Sequence, residues 1–325
     1  MDWKRAVTFK HEELEAQKRQ RSLAEVRAQS RDRRRPADLG EALPELSPAY
    51  RPSPVPGGRL VVPSELPLID AGGASPFSLE ALIAAELNAQ TVARAQRPPR
   101  IPLLPELKRR PVPTPEPKVE VRTPPDVLPG ALPILARRPA AVVVWTDRAW
   151  YGGQPDDLSR LSAWAWERRD EQRPPVWIRG ELILDPWQLY ETLLLGGDGV
   201  VLELVPLSDM QLEDLLGTAQ ELGLTLLPHV WTLEQAERVV ELGLPRIAVG
   251  SGSLLDSHAR LEASRGPLRE LLADLPRELK ALSWGGCTTL EELDTRAMSG
   301  VQAIISGRQF LSLHLAQDHR SQQEG

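Results

Sequence analysis

From residue 141 onward, short apolar runs alternate with amphipathic stretches of helical period. The runs are Ala141–Trp145, Val176–Arg179, Gly199–Leu204, Leu224–Val230, Arg246–Gly250, Leu279–Trp284 and Val301–Ser306. Helical stretches fall between them at Pro186–Leu195, Ser208–Leu222, Thr232–Leu242, Pro267–Ala273 and Thr289–Ser299. Runs that are apolar at nearly every position suit strands buried on both faces, joined in parallel by crossover helices. Ile101–Lys108 adds an eighth run upstream, the number that closes a (β/α)8 barrel. A doubly wound open sheet is the competing arrangement, but no Gly-rich dinucleotide turn follows the first run.

The pattern is different before residue 141. Residues 1–35 read as a charged helical stretch with 11 Lys/Arg against 6 Asp/Glu. Its apolar residues, Trp3, Val7, Leu14, Leu23 and Val26, are too loosely spaced for one continuous face. The expectation is a solvated helix lying on the domain. Residues 36–140 hold 22 of the 31 prolines, and proline both fixes φ and removes a donor, so regular structure there must be interrupted. Ser78–Ala95 still reads as a helix and Arg59–Val62 as a strand, with a Pro-rich loop at Pro111–Pro125. The resulting division is an N-terminal helical extension over 1–44, a Pro-rich insertion over 45–98, the barrel over 99–318 and a tail over 319–325.

Composition narrows the possibilities. The chain has 325 residues, 41% hydrophobic and 26% charged, enough apolar content for a large core. A net charge of −6 argues against a general nucleic-acid binder. Cys287 is the only cysteine, so no internal disulfide can form, and His11, His229, His258, His314 and His319 show no metal-ligand spacing. No cofactor motif is present. The N-terminus lacks a signal-peptide core, and no apolar run reaches the roughly 20 residues needed to span a bilayer. The expected setting is cytoplasmic, away from membranes.

Several segments together resemble indole-3-glycerol phosphate synthase: VVVWTDRAWYGGQPDDL (142–158), ILDPWQLYETLLLGGDGVVL (183–202), LEDLLGTAQELGLTLL (212–227), TLEQAERVVELGLPRIAVG (232–250) and GVQAIISGRQFL (300–311). PELKRRPVP (105–113) is similar to the family's first strand, and residues 9–29 to its N-terminal helical extension. The resemblance implies a (β/α)8 lyase that closes an indole ring with decarboxylation and dehydration. Such chemistry needs a proton donor, a carboxylate, and cationic and anion-binding groups at the C-terminal ends of the strands.

Carried over by position, the resemblance gives Lys108 and Glu106 as the family's strand-one lysine and glutamate. Gly180 stands where the general-acid lysine would be, with Arg179 kept beside it. His229 replaces the strand-five glutamate, and Gly250-Ser251-Gly252-Ser253 replaces an Asn-Asn-Arg-Asn run. Trp284-Gly285-Gly286 replaces Glu-Ser-Gly, while Gly307 is kept and followed by Arg308. Candidate catalytic residues are therefore Lys108, Glu106 and His229; candidate substrate and phosphate contacts are Gly286, Gly307, Arg308, Trp284 and Glu203.

Each candidate also has a plain reading. Lys108 can pair with Glu106 or Glu203, and Glu203 in turn can serve as that partner. His229 can be a satisfied core residue, Trp284 can plug the mouth, and the glycines can be turn residues. The expected function is a synthase-like barrel that is non-catalytic or diverged and retains phosphosugar binding. The alternative is a working synthase or related lyase with a rebuilt site. Expected partners are a phosphorylated small molecule and a protein bound through residues 1–98.

Overall fold

The structure is a computed structural model that describes residues 3–43, 100–110, 126–250, 252, 254, 271–272, 274–276, 279–285 and 287–323. The helix expected at Ser78–Ala95, the strand at Arg59–Val62, most of the helix at Pro267–Ala273, and Gly286 lie outside the described residues. Eight strands pair in chain order into a closed parallel barrel. They are β1 (Leu103–Leu107), β2 (Ala141–Trp145), β3 (Val176–Gly180), β4 (Gly199–Glu203), β5 (Thr225–Val230), β6 (Arg246–Val249), β7 (Lys280–Trp284) and β8 (Ala303–Ser306). Closure is made by β1 against β8, with Leu103 opposite Ile304. The sequence expectation of eight strands and a (β/α)8 barrel therefore holds.

Strand β2 shows why the runs are apolar throughout. Ala141, Val143 and Trp145 belong to the main core, whereas Val142 and Val144 belong to a second cluster with Leu158 and Leu161. Alternate side chains thus point into the barrel and out toward the helices, as the two-residue strand period requires. On β3, Trp177 faces outward and Ile178 inward, which places Gly180 on the inward set beside Trp145.

The helices are α1 (Trp3–Gln20), α2 (Leu23–Ser30), α3 (Leu39–Ala42), α4 (Leu128–Leu135), α5 (Arg148–Tyr151), α6 (Pro155–Glu167), α7 (Pro186–Leu194), α8 (Asp209–Leu222), α9 (Leu233–Glu241), α10 (Leu290–Ala297) and α11 (Phe310–Gln323). Sequence-coded caps set their starts. Ser208, Thr232 and Thr289 each accept from the backbone N–H three residues on, and Gln211, Gln235 and Glu292 return the bond. Each such capping box satisfies two N–H groups that the first turn leaves free. Gly223 ends α8 in the left-handed region at φ 71°, the usual C-terminal stop.

Two features depart from the sequence reading. Helix α4 forms within the Pro-rich region, with Pro129 in its first turn, where the missing N–H has no intrahelical role, although Pro133 lies inside it. The N-terminal stretch is two helices, broken at Ser22, whose side chain and Glu25 form a capping box. Nor is it solvated throughout: Ala6, Lys10 and Leu14 are buried. Four-residue spacing puts these three on one face, with a lysine at its centre.

Candidate functional site

At the end of β1, Glu106 and Lys108 form an ion pair, Nζ to Oε2 at 3.0 Å. The other Glu106 oxygen accepts from Trp145 Nε1 at 2.7 Å. Lys108 Nζ lies 5.3 Å from the centre of the Tyr151 ring, within cation–π range. Trp145 and Tyr151 pack at 4.0 Å between centroids. The two strand-one candidates are thus brought together, and Lys108 takes Glu106 as its partner.

Glu203 does not serve Lys108. It stands opposite His229 in the β4–β5 register, with Oε2 3.3 Å from His229 Nδ1, and accepts from Leu254 N at 3.4 Å. The Glu203–His229 approach is at ion-pair distance but lacks hydrogen-bond alignment, and among the described residues neither His229 Nδ1 nor Glu203 Oε1, both buried, makes a hydrogen bond. The same holds for Trp284 Nε1, whose ring meets His229 edge-on at 5.5 Å. Buried polar atoms are nearly always hydrogen-bonded, and leaving one unmade costs about 1–3 kcal/mol. These three converge at the ends of β4, β5 and β7. His229 is thus buried beside the Glu203 carboxylate, at ion-pair distance but without an aligned hydrogen bond.

Aromatic rings fill the space beside the glycines. A Cβ on Gly180 would stand 2.7 Å from Trp145 Cδ2, and one on Gly250 would stand 2.3 Å from His229 Nε2. Both rings are buried and neither contact is with a flexible chain end. Trp145 and His229 in these positions require glycine opposite them.

Above these rings is a cavity of about 750 Å³ whose lining includes Lys108, Trp284, Arg296, Gly307 and Arg308. Its size falls in the range of small-molecule sites. Arg308 is exposed and has no ion pair among the described residues. Gly307 approaches Glu106 closely, and a Cβ there would stand 3.1 Å from its Oε2. Gly285 adopts φ 69°. Sequence reasoning missed Arg296, because it sits on α10 rather than at a strand end. It reaches back to donate to Ser283 Oγ at 2.5 Å and to the Gly285 carbonyl. Burial pulls its pKa below the ordinary guanidinium value, with Cys287 and Glu292 opposing.

A buried charge cluster was missed as well. Lys10 reaches from α1 to the ends of β2 and β3, where Nζ is 2.8 Å from Glu181, 3.2 Å from Asp147 and 2.6 Å from Glu13. Arg179 contacts Glu191 at 2.7 Å and Glu181 at 3.6 Å and donates to Thr146 Oγ1 at 2.8 Å. Burial works against the charge on Lys10, but Asp147, Glu181 and Glu13 more than restore it and raise its pKa. For Glu181, burial pushes upward, yet Lys10 and Arg179 outweigh it and hold the carboxyl down at about 2. Asp147 goes the other way, to about 7: burial raises it, Lys10 opposes, and the Glu181 charge raises it further. A side-chain hydrogen bond between Asp147 and Glu181 adds to the rise of the first and the fall of the second. Four carboxylates facing two cations leave Asp147 as the carboxyl raised above its ordinary range. The cation that Glu181 meets was not legible in the sequence, since a lysine on a charged helix reads as solvated.

Among the described residues, no group of three or more His, Cys, Asp or Glu is placed to hold a metal ion. No described helix is long and apolar enough to cross a membrane.

Residues 118–321 match the family model described as indole-3-glycerol phosphate synthase. The chain is 30% identical over 172 residues to the indole-3-glycerol phosphate synthase of Variovorax paradoxus (strain S110), covering 53% of this chain and 60% of that one. The same identity and length relate it to the indole-3-glycerol phosphate synthase of Acidithiobacillus ferrooxidans (strain ATCC 53993 / BNL-5-31), covering 61% of that chain. The chain thus spans about six tenths of the length of the curated relatives it matches. Solved structures that overlap it in part include a KDPG aldolase from Legionella pneumophila, with TM-score 0.44, 15% identity, and 68% and 88% of the two chains covered. A thiamine phosphate pyrophosphorylase from Pyrococcus furiosus overlaps with TM-score 0.41 and 14% identity, covering 64% and 85%.

Proposed function

The chain belongs to the indole-3-glycerol phosphate synthase family, and from that premise we propose that it is a diverged member that binds a phosphorylated small molecule at the barrel mouth without running the synthase reaction. The observation that carries this reading is the Trp145 indole lying over Gly180. The family's general-acid lysine is absent there, and the space its first side-chain atom would need is taken. His229 fills the space at Gly250 in the same way. Each lost acid–base or electrostatic group typically costs about 10²–10⁴ in rate, so losses on strands three, five, six and seven together remove ordinary turnover.

Binding is supported by what is kept. The cavity lining retains Lys108 beside Glu106 together with the exposed Arg308 and the reaching Arg296. Guanidinium forks match phosphate oxygens, and the Gly307 turn leads into α11, whose N-terminal N–H groups favour an anion. His229 and Trp284 also line the cavity and offer ring surfaces for the remainder of a ligand.

The test has two arms on the purified chain. Indole formation from the synthase substrate is expected to stay at background for the wild type and for Gly180→Lys, since the site acts as a unit and the lysine has no room. Product from the wild type overturns the reading in favour of a working synthase. In a thermal-shift series with inorganic phosphate and pentose 5-phosphates, saturating ligand at about a hundred times its Kd should add about 2.7 kcal/mol. Arg308→Ala should weaken that response, and a flat response to every phosphate ester rules out the binding half.

A further inference from the structure

The end of the barrel opposite the mouth carries a separate concentration of charge. After α2 the chain runs Arg31-Asp32-Arg33-Arg34-Arg35-Pro36 across the side where strands begin. A cavity of about 380 Å³ opens there, lined by Arg27, Arg31, Arg33, Arg34, Arg35 and Tyr190 among others. Two of these arginines hold the segment in place. Arg34 donates to Asp198, just before β4, at 2.6 Å and to the Gly196 carbonyl at 3.0 Å. Arg27 donates to both oxygens of Glu221, near the end of α8, at 2.9 and 3.2 Å. The other three, Arg31, Arg33 and Arg35, are exposed and have no ion pair among the described residues.

An apolar anchor adjoins them. Trp166, at the end of α6, is 47% exposed, which is unusual for an indole on an otherwise polar surface. The Arg34 guanidinium lies 5.6 Å from its ring centre and that of Arg169 4.9 Å. Arginine beside exposed tryptophan is the composition of binding hot spots rather than of ordinary solvated surface.

We infer that this face docks a short acidic segment of a partner protein, its carboxylates on Arg31, Arg33 and Arg35 and one apolar side chain against Trp166. Guanidinium forks engage carboxylates in bidentate pairs, and three crowded cations repel one another until an anion relieves them. The surroundings favour a short anion over a long one. Residues 36–325 carry 28 Lys/Arg against 39 Asp/Glu, so a nucleic-acid strand running beyond the patch meets an acidic body. The face is remote from the mouth, and its occupation is independent of any ligand there.

Fluorescence anisotropy of the full chain with a labelled Glu-rich peptide carrying one leucine tests this, beside a single-stranded RNA of equal charge. Saturable peptide binding is expected, weakening with added salt. The triple variant Arg31→Gln, Arg33→Gln, Arg35→Gln should lower affinity by about tenfold or more, each exposed pair adding a small increment. Trp166→Ala should lower it independently of salt. The three arginines have no ion pairs to lose among the described residues, so the thermal midpoint of the triple variant should match the wild type and separate lost binding from lost folding. Absence of saturable binding, equal affinity in the variants, or RNA binding tighter than peptide would each overturn the assignment.

Discussion

At the scale of single residues, Lys10 has the largest structural consequence of any group the sequence hides. It is buried against Glu13, Asp147 and Glu181. Removing one member of a buried ionic group strands the others and typically costs about 3–5 kcal/mol. Lys10→Met should therefore lower the unfolding free energy by that order, read as a lower urea midpoint at unchanged slope, although it only lengthens the apolar face of α1 by pattern. Asp147 gives the cluster a pH signature. Its folded pKa of about 7 exceeds the ordinary value of 3.8, so across that window the folded state holds a proton that the unfolded chain has released. Stability contributed by Asp147 is present below the lower value, falls as pH rises through the window, and levels off above about 7. Glu181, held near 2, acts oppositely and loses its contribution only in acid. Asp147→Asn should flatten the fall between pH 4 and 7 while leaving the acid limb, as read from denaturation midpoints at stepped pH. The glycines at 180 and 250 were legible as substitutions from the sequence. That Trp145 and His229 fill the freed space was not, because it depends on which face of β2 and β5 each side chain takes.

At the scale of elements, the sequence was most readable where local and global signals agree. The strand runs were placed to within a residue or two because every position is buried on one face or the other, which leaves little ambiguity of period. Helices α7 to α10 were equally plain, since their caps are written as Asp, Ser or Thr followed three residues later by Gln or Glu. Thr232→Ala, which removes the bond to Gln235 N at 3.2 Å, should cost about 1 kcal/mol, seen as a lower unfolding midpoint with an unchanged denaturant slope. Reading failed where side chains compete with their own pattern. Helix α1 buries a stripe interrupted by a lysine, and α4 starts among prolines whose missing donors matter little in a first turn. Arg296 escaped notice for a related reason, being a helix residue that acts at a strand end.

At the scale of the whole molecule, the barrel separates two chemistries. Side chains of the mouth come from strand ends and the turns after them, and follow the order in which the strands close. The arginine face comes from the α2–α3 connection, clamped to the strand-start side by Asp198 and Glu221. Mouth positions were named in the sequence through the family resemblance, which aligns strand ends one by one; the opposite face has no such guide, and only the run of arginines hinted at it. The buried lysine also sets a schedule for making the protein. Lys10 and Glu181 are 171 residues apart, and translation adds about 5–20 residues per second. Helix α1 therefore leaves the ribosome roughly 10–30 s before its carboxylate exists. An unbroken apolar stripe would spend that interval open to misassociation with other nascent chains. A stripe with an ammonium at its centre stays hydrated until Asp147 and Glu181 emerge, so the residue that locks α1 to the finished barrel is the same one that keeps it from docking too soon.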